Sequence, residues 1–193
     1  MGKITPTEAD DADEAGEPDS GADTAELRVI AVVGHRPPEL GGYDANPISD
    51  GVRRRLSEII DAKQKMFGPV RVLTGLGLGA ETLAAEAALE VGAEYVAVLA
   101  FPDPAAKWPK ASRDRFDDLL DEAADVVIVS KKVPKTATEA GKAFGARDRR
   151  LQAEADEAIV VYDGKHSGVG ASARAFEKAL AEDVWIIDPG EFA

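Results

Sequence analysis

Short apolar segments rich in β-branched residues recur along the chain, and each is bounded by Gly, Pro, Asp or Ser. Segments of this length and composition are typical of strands buried inside a sheet. The pattern predicts six strands, at residues 27–33, 70–74, 95–101, 126–129, 158–162 and 184–187.

The intervening segments carry apolar residues at helical spacing. Residues 50–67 place Val52, Leu56 and Ile60 on one face, and Ser49 or Asp50 can cap the helix at its N-terminus. The same periodicity predicts five helices, at residues 50–67, 80–91, 110–124, about 140–155 and 171–182.

Six strands alternate with five helices, and strands that are apolar throughout are usually covered by helices on both faces. We therefore expect an α/β fold with a single doubly wound, Rossmann-like parallel sheet. No composition break divides residues 27–193, so they form one predicted domain. Ligands of such sheets bind beyond the carboxyl ends of the strands, where the strand order reverses, so the loops after the strands should hold the functional residues.

The net charge of -13 is unevenly distributed. Residues 1–26 contain nine acidic residues and one basic residue, whereas residues 27–193 carry only -5. The first segment has no apolar run to bury, which is typical of a disordered acidic tail. It is either a solvated extension or a charged arm that contacts a basic partner. The acidity argues against nucleic-acid binding, which needs a concentrated basic surface, but not against a small anion.

The amino-acid composition also bears on metal sites, cofactors and membrane segments. The chain has no cysteine and only two histidines, His35 and His166, and we expect neither a metal site nor a resident cofactor. No stretch of about 18 apolar residues predicts a membrane span, and no signal-peptide core is present. We expect a cytoplasmic protein without a membrane partner.

Two glycine-containing loops follow the first two predicted strands. The first contains Gly34, His35 and Arg36; the second contains Thr74, Gly75, Gly77 and Gly79 and leads to Glu81 in the next helix. Glycines let backbone N–H groups approach an anion, and the helix adds its positive end, so the second loop is a candidate phosphate cradle. Tight strand-to-helix packing also requires small residues there. His35 could bind phosphate or transfer protons, or it could stabilise a turn.

Later loops add aromatic and basic candidates. Trp108 could stack on a nucleobase or close the end of the sheet as a hydrophobic plug. Arg147 belongs to a basic cluster that is either a solvated helix face or part of an anion site. Gly168, Gly170 and Ser172 form a second glycine loop ahead of a helix, and two such loops favour a phosphate-bearing ligand.

Taken together, these motifs resemble the SLOG superfamily in its YpsA-like branch, which is related to DprA and to the Lonely Guy phosphoribohydrolases. The resemblance covers residues 27–188 and rests on the segments 34–43, 74–81, 107–109, 147–148 and 155–164. It implies a Rossmann-like fold and a site for a nucleotide or a nucleotide-derived small molecule. Members of the superfamily often pair through helices, so the resemblance implies a homodimer for this chain by analogy alone.

The resemblance also bears on catalysis. Lonely Guy enzymes place an arginine nine residues before an aspartate, as Arg147 and Asp156 are placed here, and this implies that Arg147 contacts the ligand. Those enzymes then carry a Pro-Gly-Gly-x-Gly-Thr motif followed by a catalytic glutamate. In this chain residues 163–172 differ from that motif and no acidic residue follows until Glu177, so hydrolase activity is not the first expectation.

Three functions follow as hypotheses. The leading one is binding or sensing of a nucleotide-derived ligand, with Arg36 and Arg147 facing its phosphate, Trp108 on its base and Glu81 on its ribose hydroxyls. The second is an N-glycosidase that acts on nucleoside monophosphates with Glu81 or Glu177 as its carboxylate. The third is a non-catalytic domain that binds a protein partner.

Overall fold

The computed structural model describes residues 26–193. The predicted acidic tail, residues 1–26, therefore lies outside the described residues except for Glu26. Within residues 26–193, no helix is both long and apolar enough to cross a membrane.

Six strands form one sheet in which every neighbouring pair is parallel. The order across the sheet is β4-β3-β2-β1-β5-β6. The strands are β1 (Arg28–Gly34), β2 (Val70–Thr74), β3 (Glu94–Leu99), β4 (Asp125–Ile128), β5 (Glu157–Val161) and β6 (Val184–Ile187). The chain runs outward from β1 to β4 and then returns to the other side of β1, so the strand order reverses between β1 and β5.

Five α-helices connect the strands: α1 (Pro47–Phe67), α2 (Ala80–Glu90), α3 (Lys110–Asp121), α4 (Ala137–Glu154) and α5 (Ser167–Leu180). Helices α1, α2 and α3 cover one face of the sheet, with Leu56, Leu83 and Phe116 in the core. Helices α4 and α5 cover the other face, with Leu151 and Phe176. The predicted doubly wound, Rossmann-like α/β architecture is confirmed.

Three helices begin earlier than their apolar periodicity predicts, and α4 does so at Ala137 instead of about residue 140. Helix α1 begins at Pro47, and Asn46 caps it by accepting hydrogen bonds from the amides of Ile48 and Ser49, so Ser49 and Asp50 are not the cap. Helix α5 begins at Ser167, four residues before the predicted start. Gly168 and Gly170 therefore lie in the first turn of α5, and the second glycine loop is shorter than expected.

Candidate functional site

A cavity of about 760 Å³ opens at the carboxyl ends of the strands, beside the β1–β5 reversal. This is the position at which doubly wound sheets bind their ligands, and the volume is within the range of small-molecule sites. Ten of the residues predicted for the site line it: Gly34, His35, Arg36, Gly75, Gly77, Glu81, Trp108, Arg147, Gly168 and Ser172.

Three residues predicted for the site do not line this cavity. Thr74 is fully buried, and its hydroxyl donates to the Glu81 carbonyl at 2.8 Å. Gly79 has a φ of +100°, and a Cβ there would come within 2.4 Å of the His35 carbonyl oxygen. At Gly170 a Cβ would come within 2.5 Å of the Tyr162 hydroxyl. These residues hold the loops and helices together and lie outside the lining of this cavity.

An ion pair between Arg147 and Glu81 occupies the floor of the cavity. Arg147 Nη1 donates to Glu81 Oε2 at 3.0 Å, and Nη2 lies 3.0 Å from Oε1, which makes the pair bidentate. Arg147 Nε and Nη2 also donate to Asp148 Oδ1, at 3.0 and 2.8 Å. Both Arg147 and Glu81 are 8% exposed, so the pair is largely removed from water.

Burial disfavours the charged form of the Arg147 guanidinium. The attraction of Glu81 and Asp148 and their hydrogen bonds outweigh that effect, so the pKa of Arg147 lies above its ordinary value. Two carboxylates of the chain already compensate this arginine. It differs from the free anion-binding arginine that its sequence position suggests.

The Gly75–Gly79 loop is occupied by the same carboxylate. The Gly77 amide donates to Glu81 Oε2 at 2.9 Å. A Cβ at Gly75 would come within 2.2 Å of Arg147 Nη1, so glycine is needed there for the close approach of the guanidinium. At the helix start, the Ala80 amide donates to the His35 carbonyl at 2.9 Å. The loop thus accommodates the chain's own Glu81–Arg147 pair, as tight packing requires, and a phosphate cradle there stays a prediction.

Free backbone donors lie instead at the N-terminus of α5. His166 is the N-cap residue, and its side chain caps no amide of the helix. Within residues 26–193, the amides of Ser167, Gly168 and Val169 make no hydrogen bond, because the first turn of a helix has no carbonyl to accept from them. All three residues line the cavity. The positive end of a 14-residue helix therefore faces it.

Arg36 supplies a cationic side chain at the same cavity. It is exposed, lines the cavity and makes no ion pair with any described residue. The Glu39 amide donates to the Arg36 carbonyl, which fixes the backbone in a single 3-10 turn over Pro37–Leu40. Among the arginines predicted for the site, Arg36 is available to an anion and Arg147 is not.

The other end of the cavity is apolar. Trp108 lines it and also packs edge to face on Phe116, with ring centroids 5.5 Å apart. Trp108 thus packs against the core and also borders the cavity, and its stacking on a nucleobase stays a prediction. Phe144 of α4 and Pro104 add to the same apolar wall, and Tyr43, 64% exposed, stands at the rim.

A group of titratable side chains lies beside β1 and β5. His35 is buried, and its Nε2 accepts a hydrogen bond from the Asp163 amide at 2.9 Å. His166 Nδ1 lies 3.2 Å from Asp163 Oδ2. The Lys165 amide donates to Asp163 Oδ1 at 3.0 Å and, with smaller contributions from both imidazoles, lowers the pKa of the Asp163 carboxyl despite partial burial. Asp163 is thus held as a carboxylate.

Some residues around the cavity were not predicted for the site. They include Glu39, Tyr43, Phe144, Asp148, His166, Ser167 and Val169. Tyr43, Asp148 and His166 belong to motifs already noted, but their direction toward the cavity depends on the path of each loop. Glu177 and Asp156 lie elsewhere: Glu177 is exposed and outside the cavity lining, and Asp156 accepts a hydrogen bond from the Val29 amide at the opposite edge of the sheet.

Two solved structures share the fold. DNA processing protein A from Streptococcus pneumoniae aligns with a TM-score of 0.56 and 20% identity, over 86% of this chain and 52% of its own, so this chain spans about half of that protein. DNA processing protein A from Helicobacter pylori, described for its single-stranded DNA binding mode, aligns with a TM-score of 0.55 and 16% identity, over 83% and 65%. At these identities the similarity concerns the fold alone.

Sequence comparison gives a more specific result. A UPF0398 protein of Lactobacillus delbrueckii subsp. bulgaricus is 26% identical over 151 residues, which cover 74% of this chain and 77% of that protein. The YpsA family model, described as the YspA SLOG family, matches residues 30–187. That match includes β2 to β6, all of β1 except its first two residues, and every loop that lines the cavity. The chain therefore belongs to the YpsA family of the SLOG superfamily.

Proposed function

We propose that the cavity binds a nucleotide or a nucleotide-derived ligand, with its phosphate at the N-terminus of α5. The observation that carries this proposal is the set of unpaired amides at Ser167, Gly168 and Val169, which face the same cavity as the unpaired guanidinium of Arg36. Backbone amides at a helix N-terminus and an arginine are the donors that phosphate prefers in proteins.

The dimensions of the site support a ligand with an anionic end and a flat end. Helix α5 follows β5, whereas Trp108 follows β3, and these two strands are separated by β2 and β1. Three strand spacings correspond to about 14 Å. A base against Trp108 and a phosphate at α5 would use both ends of the cavity, and the aromatic contact contributes about 1–3 kcal/mol.

Arg36 provides the sharpest test of the phosphate end. We expect nucleoside monophosphates to bind more tightly than the matching nucleosides, and Arg36→Ala to reduce this preference about tenfold or more. Arg54→Ala is the matched control, because Arg54 is also exposed but lies on α1 outside the cavity lining. Isothermal titration with both ligand sets measures the preference. An unchanged preference in Arg36→Ala would exclude this arginine and the assigned phosphate position.

Trp108 tests the other end. In Trp108→Leu, affinity for a nucleoside monophosphate should fall while affinity for inorganic phosphate stays the same, because only the base contact is lost. Arg147→Ala is less informative than the sequence suggested, since it leaves the buried Glu81 carboxylate without its cation and should destabilise the fold.

A second candidate function is supported by the position of Glu81. Its carboxylate lines the cavity and accepts hydrogen bonds from Arg147 and from the Gly77 amide, and a carboxylate in this position could stabilise positive charge developing on a ribose. If the protein is an N-glycosidase, incubation with nucleoside monophosphates should release free base, and Glu81→Gln should abolish the release. Binding without release in the unmodified protein would exclude this candidate and leave the binding function.

A further inference from the structure

The chain contains only two histidines, and the fold brings both to one aspartate although they are far apart in sequence. His35 follows β1, and Asp163 and His166 follow β5, so the three meet at the reversal of strand order. One ligand atom from each lies within 4.8 Å of the others. Sequence analysis did not predict this group, because each residue alone fits a turn or a cap.

The separations suit a metal ion. His35 Nε2 lies 3.0 Å from Asp163 Oδ1, and His166 Nδ1 lies 3.2 Å from Asp163 Oδ2. Ligands at about 2.1 Å from one ion lie roughly 3.0–3.4 Å apart when adjacent and about 4.2 Å apart when opposite. The longest of the three separations, at most 4.8 Å, must shorten toward these values when the ion binds. His166, whose side chain is 49% exposed, has room to make that movement.

Glu39 gives an independent observation. Its Oε1 lies 3.6 Å from His166 Nε2, the ring nitrogen that does not face Asp163. Its Oε2 is buried and has no hydrogen-bond partner among the described residues. Histidines that ligate metals commonly donate their other ring N–H to a carboxylate, which fixes the tautomer and raises the basicity of the ligating nitrogen. Glu39 stands where such a carboxylate is required.

We infer that His35, Asp163 and His166 form a binding site for a divalent first-row transition metal ion, with Glu39 orienting His166. His35 Nε2 and His166 Nδ1 are the nitrogen ligands, and the Asp163 carboxylate is the oxygen ligand. Two imidazoles and one carboxylate favour Zn²⁺ and its neighbours in the first transition row over Mg²⁺ or Ca²⁺, which prefer oxygen. Coordination replaces the hydrogen bond between His35 Nε2 and the Asp163 amide.

The site would be open toward the cavity. His35 and His166 both line it, so three protein ligands leave the remaining coordination positions facing the same space as the α5 amides. A metal ion there can accept a water molecule or an anionic oxygen of a cavity ligand. Metal binding by His35, Asp163 and His166 does not require the cavity ligand.

The test uses the full chain, stripped with a chelator and titrated with Zn²⁺ at neutral pH by calorimetry, without nucleotide. We expect one Zn²⁺ per chain at the site, and His166→Ala and Asp163→Asn should each weaken binding by about 10- to 100-fold or more. Co²⁺ should give visible absorption bands that His166→Ala removes. His166→Ala is the main variant, because the His166 side chain caps no amide of α5 and its loss should leave the fold intact.

Asp61→Asn is the control, since Asp61 is an exposed carboxylate on α1 that pairs only with Lys65. It should bind Zn²⁺ as the unmodified chain does. Equal affinity in His166→Ala, an equal loss in Asp61→Asn, or no Zn²⁺ binding by the unmodified chain would each overturn the inference. Circular dichroism of every variant confirms that the fold is retained, so a lost site is distinguished from an unfolded one.

Discussion

Glu81 determines much of what the cavity can bind. Its carboxylate accepts from the Gly77 amide and from Arg147, and it thereby uses donors that a phosphate would otherwise need. Both partners are 8% exposed, so without Arg147 the Glu81 carboxylate would lose its paired cation, and without Glu81 the guanidinium would keep only Asp148. The proposed function therefore assigns the anion to Arg36 and the start of α5.

Gly75→Ala tests this pair without removing either charge. The added methyl would lie 2.2 Å from Arg147 Nη1 and 2.7 Å from Glu81 Oε2, so the pair must separate or the loop must move. We expect a loss of about 1–3 kcal/mol in the free energy of unfolding, because the clashing atoms are side-chain ends that can shift, and urea denaturation with tryptophan fluorescence measures it.

Gly141→Ala is the matched control for that change. Gly141 lies in α4, and a Cβ there meets nothing within 4 Å. The substitution should stabilise the protein by about 0.5–1 kcal/mol, because alanine loses less backbone entropy in a helix than glycine does. If Gly75→Ala unfolds at the same urea concentration as the unmodified chain, the close packing of the pair in the loop is not important for stability.

For single residues, the sequence predicts the position in the fold better than it predicts the side-chain partners. Ten of thirteen predicted site residues line the cavity, because the carboxyl ends of parallel strands meet at one edge. The partner of Arg147 could not be predicted in the same way. Glu81 is 66 residues away, and the contact depends on how α4 and α2 approach each other across the sheet edge.

For helices, the residue at which each helix begins is predicted poorly from apolar periodicity. Apolar periodicity marks the part of a helix that packs on the sheet, and the first turns of α1 and α5 carry few core residues. Helix α1 begins with Pro47, a residue favoured at the first position of a helix, after an asparagine cap. The Asn46-Pro47 pair is therefore the signal that could have located this start. For α5, residues 166–170 offer no comparable signal.

The cap of α1 gives a prediction at the same scale. Asn46 Oδ1 accepts hydrogen bonds from the backbone amides of Ile48 and Ser49. The backbone amide of Asn46 in turn donates to Ser49 Oγ, which completes a capping box. Asn46→Ala should reduce stability by about 1 kcal/mol and the melting temperature by about 2–4 °C. Asp50→Ala should change the melting temperature much less, since Asp50 is not the cap. Equal shifts in the two variants would contradict the assignment.

Strand and helix alternation was sufficient to predict a doubly wound parallel sheet. The buried strands are apolar because helices cover both faces of the sheet, and this pattern is visible in the sequence. The order of the strands is not visible in the same way, because the apolar pattern does not state which strands are neighbours. Five of the six strands carry a charged residue, and Glu157 at the start of β5 is the buried one, whose partners on the neighbouring strands become clear only in the structure.

Glu157 joins four elements at the amino ends of the strands. It is 1% exposed, and its carboxylate accepts from Arg28 Nε of β1 at 2.8 Å, from Trp185 Nε1 of β6 at 3.1 Å and from Lys63 Nζ of α1. Burial alone would raise the pKa of Glu157. The hydrogen bonds from Lys63 and Arg28 outweigh burial, and the pKa is lowered from its ordinary value.

The stability of the whole domain should therefore depend on pH through Glu157. A carboxyl whose pKa is lower in the folded state binds fewer protons there than in the unfolded chain, so its contribution is present above the ordinary carboxyl pKa of about 4.5 and is lost as the pH falls through the folded value. Glu157→Gln should cost about 3 kcal/mol at pH 7, because two cations lose their carboxylate. Its urea midpoint should then fall less between about pH 7 and pH 4 than that of the unmodified chain.

Glu154→Gln, at an exposed ion pair with Arg150, should leave the pH profile unchanged. A Glu157→Gln variant with an unaltered pH profile of stability would show that acid sensitivity arises from other residues. Glu157 lies at the amino ends of the strands, opposite the cavity, so neither variant should change ligand affinity at neutral pH.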